Sequence, residues 1–169
     1  MKRDEALALL REVGCPENVV DHCICVSEKA TSMACCAQKE TEITIPLVTI
    51  GGLLHDIGRS ITHSIRHGVV GARLLKQHGV CTPLQLICER HVCAGIPKEV
   101  AEKIGLGSKD YIPLSLEEKI VCHADNLTNH TVDELRTRWK SFFDKESGEI
   151  IVSLLEQLDA ELQNYVQCD

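Results

Sequence analysis

Leu53-Leu54-His55-Asp56-Ile57-Gly58-Arg59 is the stretch that decides how this chain is read. The segment leading into it, Pro46 to Leu54, is almost wholly apolar, and Leu47, Val48, Ile50, Leu53 and Leu54 cover every face of a helix. A helix that is apolar all round is central and buried. Adjacent histidine and aspartate side chains at its end lose several kcal/mol of hydration if they stay unpaired. Something must compensate them, and a divalent metal ion is the economical candidate.

Outward from that segment the apolar period is helical, and no stretch sustains strand alternation. Towards the N-terminus, a helix over about Asp4 to Val13 stops at Gly14, and Pro16 opens a second that runs towards Gln38. Thr41 to Ile45 is rich in β-branched residues and ends at Pro46, so it reads as an extended connector. Past the motif, Gly58 to Ile65 reads as a loop or single turn, followed by a helix over about Ser64 to His78 that closes at Gly79. Further helices are predicted over Pro83 to His91 and Pro97 to Ile104. Ser115 and Glu118 have the spacing of a capping box for a helix reaching Asn129. Two amphipathic helices follow, near Val132 to Asp144 and Glu149 to Val166. The fold class is all-α: one domain, a bundle of about seven to nine helices.

Bulk properties narrow the function. The chain has 169 residues, 44% hydrophobic and 25% charged, enough for one sizeable core. A net charge of -7 argues against a nucleic-acid polymer as partner, which normally meets a basic face. A small phosphorylated substrate needs only a local cluster of donors. The charged start, Met1-Lys2-Arg3-Asp4-Glu5, is no export signal, and no apolar run reaches the ~18 residues of a membrane span. A cytoplasmic protein is expected, with no membrane partner. The ten cysteines fall as Cys23-x-Cys25, Cys35-Cys36 and scattered singles, which fits neither a zinc knuckle nor a small disulfide scaffold. Most read as small buried apolar residues in a reducing compartment.

Helical phase then places the polar residues. His22 shares a stripe with Val19 and Val26; His55 with Val48, Gly51 and Gly52; His67 with Val70, Gly71 and Leu74. His91 shares one with Leu84, Ile87 and Cys88, and Asp125 with Val121, Cys122 and Thr128. With Asp56, six titratable side chains face the core from five different helices. One inward histidine is usually a hydrogen-bonded core residue. Six such groups, four of them imidazoles, read better as one converging site of the mixed His/carboxylate type that suits Mn, Fe, Co, Ni or Zn. His78, His123 and His130 read as structural or solvent-exposed.

In this order, His22, His55-Asp56-Ile57-Gly58 and Asp125 within Ala124-Asp125-Asn126-Leu127 resemble the HD-domain metal-dependent phosphohydrolase superfamily, in its HDIG form. The resemblance spans about Val19 to Asn129, and it is to a small stand-alone member of prokaryotic type, lacking the GYP motif of cyclic-di-GMP phosphodiesterases. It implies a single HD domain over residues 1–169, with the helices at about 132–166 capping the core or forming a homodimer contact.

The resemblance also implies roles. His22, His55, Asp56 and Asp125 would hold a divalent transition metal, and His67 and His91 a second ion or a phosphate. Asp56 would then bridge two ions, and with a single ion Asp125 is a candidate base. Arg59 and Lys119 are the expected phosphate donors, ahead of Arg66 and Lys98, and His63 is an expected substrate contact. The implied activity is hydrolysis of a small phosphoester, such as a nucleotide, by a metal-activated water. The alternatives are an HD-fold di-iron oxygenase and a non-catalytic nucleotide-binding module.

Overall fold

The computed structural model describes residues 1–166. Its middle is the apolar helix α3 (Ile45–Leu54), started by Pro46 in its first turn. Val48, Leu53 and Leu54 are fully buried, as their all-round apolarity requires. The paired glycines of α3 admit close neighbours: on the Gly52 side that neighbour is another helix's backbone. A Cβ on Gly52 would stand 2.6 Å from the Cα of Ser27, and one on Gly51 would stand 2.6 Å from Ile87 Cδ1. The space beside the helix is filled by protein, and that close approach locks α3 against its neighbours.

Those neighbours are α2 (Glu17–Ala37), with the most extensive contact, and α7 (Leu116–Thr128), which packs on both. Helix α1 (Arg3–Glu12) lies against α3. A 3-10 turn, Ile57–Ser60, follows the motif and packs on α4 (His67–Gln77), which pairs with α5 (Thr82–Arg90). A short α6 (Lys98–Lys103) precedes α7. Helices α8 (Val132–Phe142) and α9 (Lys145–Val166) form a hairpin, with α9 lying on α2 and α7. The described residues form no strand; only the isolated bridges Cys93–Gly95 and Ile96–Tyr111 occur. Among the described residues no helix is long and apolar enough to cross a membrane.

The expected helix starts were early or late where local polar groups decide. α4 begins at His67 rather than Ser64, because Thr62 and Ser64 hydrogen-bond each other and hold a turn. α9 begins at Lys145 rather than Glu149, because the Asp144 carboxylate accepts from Ser147 N at 3.1 Å and Ser147 Oγ at 2.6 Å. At α7, Ser115 accepts from Glu118 N as predicted. The Glu118 carboxylate does not close the box, accepting instead from Leu114 N and Arg90 Nη1.

Ile151, Leu155, Leu158 and Leu162 of α9 are buried in the chain's own core, with Leu154 partly buried beside them. His123, expected to be structural or exposed, is wholly buried and faces Asp159 across the α7–α9 contact at 3.2 Å. The cysteines divide. Cys15, Cys23, Cys36, Cys88 and Cys122 are buried, whereas Cys25, Cys35 and Cys81 are exposed.

Candidate metal centre

The six inward groups meet. His22 comes from α2, Asp125 from α7 and His67 from the first position of α4, while His55 and His91 cap the C-terminal ends of α3 and α5. Three of the rings are oriented alike. His55 Nδ1 donates to Gly52 O at 2.7 Å, His67 Nδ1 to Ser64 O at 2.8 Å, and His91 Nδ1 to Cys88 O at 2.7 Å. Each imidazole proton is thereby held at Nδ1, and Nε2 presents a lone pair inward.

Asp56 stands between two sets of nitrogens. Its Oδ2 lies 3.9 Å from His22 Nε2 and 3.8 Å from His55 Nε2, while its Oδ1 lies 3.1 Å from His67 Nε2 and 3.4 Å from His91 Nε2. Asp125 Oδ1 joins the first set, 2.9 Å from His22 Nε2 and 3.5 Å from His55 Nε2. Within His22–His55–Asp125, and again within His55–Asp56–His91, the ligand atoms lie within 4.8 Å of one another. An ion about 2.1 Å from each ligand imposes separations of that size.

The protein alone does not satisfy this centre. His55 Nε2 and Asp56 Oδ1 are buried with no well-aligned hydrogen-bond partner among the described residues. The 3.1 Å approach of His67 Nε2 to Asp56 Oδ1 sets one acceptor against another, because the His67 proton is on Nδ1. His67 Nε2 and His91 Nε2 likewise face each other at 3.0 Å. Buried acceptors pointed at one another cost several kcal/mol unless a proton or cation lies between them. Neutral imidazoles with carboxylates fit a divalent transition metal, and the carbonyls behind the rings orient them for it.

Charge leads to the same place. Burial works against an ionised Asp56, yet the charge of the facing His55 holds its carboxyl well below the usual range. Asp125 is also buried, and His55 and His22 hold its carboxyl far below that range. Burial would lower His55, but the Asp56 carboxylate pushes it well above the imidazole range; burial holds His91 below it. Without a cation, a proton on His55 offsets the two carboxylates. A bound divalent ion takes that proton's place.

Two thiols support the backbone behind the ligands. Cys88 Sγ donates to His55 O at 3.1 Å, and Cys122 Sγ donates to His91 O at 3.2 Å. Both carbonyls belong to helix ends, where the helix supplies no backbone N–H donor for them. Burial pushes both thiols well above their ordinary range, so they keep the hydrogen they donate. Beside them, a Cβ on Gly58 would run into the His67 carbonyl oxygen, so the HDIG glycine is needed for α4 to approach.

The centre opens into a cavity of about 590 Å³. Arg59 lines it, with Nε on Asp56 Oδ2 at 2.5 Å, and exposed His63 lies along its wall. Lys119 does not line it: its ammonium pairs with Glu161 of α9 at 2.7 Å. The structure thus gives Lys119 an ion pair in place of the expected phosphate contact. Arg66 donates to Gly105 O, and Lys98 lies 3.9 Å from Glu102. Sequence reasoning missed the far wall, where α8 contributes Leu135, Arg138, Trp139 and Phe142. Their i, i+3, i+4, i+7 spacing was the available signal.

Residues 19–130 match the HD domain family. An uncharacterized protein of Methanocaldococcus jannaschii is 55% identical over 128 residues, 75% of each chain. A tRNA (cytidine(56)-2'-O)-methyltransferase of Picrophilus torridus is 41% identical over 126 residues, which are 75% of this chain but 36% of the methyltransferase. The HD domain of the L. monocytogenes phosphodiesterase PgpH, solved in complex with cyclic-di-AMP, has the same fold. It superposes with a TM-score of 0.53 at 17% identity, covering 91% of this chain and 96% of that one. By its matched segment and its relatives, this chain belongs to the HD domain family.

Proposed function

We propose that this protein is a metal-dependent phosphohydrolase that cleaves a small phosphoester. One observation carries the reading: three imidazoles pinned at Nδ1 turn their Nε2 atoms to the two sides of a buried aspartate, with His55 Nε2 and Asp56 Oδ1 both lacking a hydrogen-bond partner among the described residues. His22, His55, Asp56 and Asp125 would hold one divalent ion, and His67 and His91, with Asp56 Oδ1, a second ion or a phosphate oxygen. When bound, a divalent ion supplies a Lewis acid for the phosphoryl group and a water acidified towards neutrality.

The chain's own groups do the rest. The Nε contact with Asp56 fixes the Arg59 guanidinium at the cavity wall, with Nη2 lying 3.5 Å from His67 Nε2 and Nη1 left to donate to a phosphate oxygen. Asp125 is the wall carboxylate placed to accept a proton if one ion suffices. His63 lies where a substrate's departing part would pass. Lys119 holds α7 to α9 instead. The family match and a phosphodiesterase among proteins of this fold support the reaction class.

Metal analysis of the full chain purified without chelator, followed by a phosphoester screen with the metal found, tests the reading. Phosphate release with stoichiometric metal is the expected result, and Asp56→Ala should remove both. Unchanged metal content and activity in Asp56→Ala would overturn the site. Bound iron with oxygen consumption and no phosphate release would replace the hydrolase with the oxygenase alternative.

A further inference from the structure

We infer that the α8 wall of the cavity is a subsite for the nucleobase of a nucleotide substrate; the inference rests on the phosphohydrolase reading of the metal end. The cavity joins two chemically different halves. At one end are imidazoles, carboxylates and Arg59. At the other are Leu135, Arg138, Trp139 and Phe142, one face of a single helix, with Val92 and Ile65 opposite.

Three features of that wall point to a planar ring system. Aromatic residues are only 3% of the chain, and its single tryptophan lines this cavity. Phe142 is 66% exposed at its rim, although the adjacent Phe143 is buried. An exposed phenyl ring beside a phosphate-chemistry centre is a stacking platform, and every nucleobase has a face to meet it. A sugar phosphate would leave the Phe142 ring in water.

Arg138 adds the polar part. Its Nη1 faces His130 Nε2 at 3.2 Å rather than a carboxylate, so donors remain for acceptor atoms on a base edge. The volume, about 590 Å³, is ample for a ligand with its phosphate at Asp56 and its base at α8. Helix α8 also lies beyond the matched family segment, which ends at residue 130. In this inference the chemistry comes from the family portion, and the choice of substrate from α8.

Trp139, as the only tryptophan, reports binding directly. Metal-loaded full chain is titrated with the four common nucleoside monophosphates and with ribose 5-phosphate, following tryptophan fluorescence, with phosphate release measured in parallel. At least one nucleotide should quench Trp139 saturably and bind about ten-fold or more tighter than ribose 5-phosphate. Phe142→Ala should reduce that ratio by about ten-fold with metal content unchanged, and Phe142→Tyr should restore it. Equal binding of ribose 5-phosphate and all four nucleotides, with the ratio unmoved in Phe142→Ala, would overturn the subsite even if phosphate release persists. Base-dependent quenching without any phosphate release would support the subsite and defeat the hydrolase reading. Loss of both signals overturns both.

Discussion

The two ends of the cavity are built by different means. At the metal end, His55, Asp56, His67 and His91 are buried, and each of those rings is held by a carbonyl three residues back. Backbone carbonyls of two ligands are in turn held by thiols. At the α8 end the groups hang on one amphipathic helix, and Phe142 and Arg138 are exposed. A centre that must keep several acceptors together needs every ligand fixed from behind. A wall that meets a flat organic group needs only area and a few donors, and a single helix can vary them without disturbing the ligands.

That contrast can be broken most severely at Asp56. Asp56→Ala removes the carboxylate shared by both nitrogen sets and should cut metal affinity by more than about 100-fold, read by equilibrium metal analysis. Retained stoichiometric metal would mean that the two sets do not share one centre. Gly58→Ala comes next. Its new methyl meets the His67 carbonyl oxygen, and backbone must move, at a cost of about 1–3 kcal/mol in denaturant unfolding. Unfolding indistinguishable from wild type would show that α4 need not sit so close.

A finer probe is the thiol behind His55. Cys88→Ala should lower metal affinity by about ten-fold, and Cys88→Ser, which keeps a donor, should recover most of it. If serine is no better than alanine, the thiol only fills space. Alkylation then compares the cavity with the outer surface. Burial pushes the Cys93 thiol up to about 12, so at pH 8 it stays protonated and unreactive although it borders the cavity. Exposed Cys25, Cys35 and Cys81 should label first, and mass mapping that finds Cys93 among them would show that the wall opens. The smallest effect belongs to Lys119→Met. It removes a surface ion pair with Glu161 and should cost no more than about 1 kcal/mol, without loss of metal. A large loss of phosphate release there would return Lys119 to the chemistry.

Much of the fold was legible because its signals are local. Apolar period and the prolines and glycines at segment ends located all nine helices among the described residues, most to within a few residues. The errors lay where a side chain outcompeted the pattern, as at Ser147 on Asp144. The six inward groups were legible by helical phase alone. The glycines of α3 say only that something comes close; packing decides that at Gly52 it is the backbone of α2. Lys119 was misread for a similar reason: its partner lies 42 residues away on α9. The α8 wall escaped because Leu135, Arg138, Trp139 and Phe142 look like any amphipathic face until a cavity is found beneath them.

What the sequence determined by itself is the all-α class and the identity of the inward polar groups, because helix period and motif order are properties of the chain taken a few residues at a time. Tertiary structure alone decided that Asp56 turns one oxygen to each nitrogen set, that thiols hold the carbonyls of His55 and His91, and that Trp139 and Phe142 line the cavity. Those depend on distances between segments far apart in the chain, and packing, not local propensity, sets such distances.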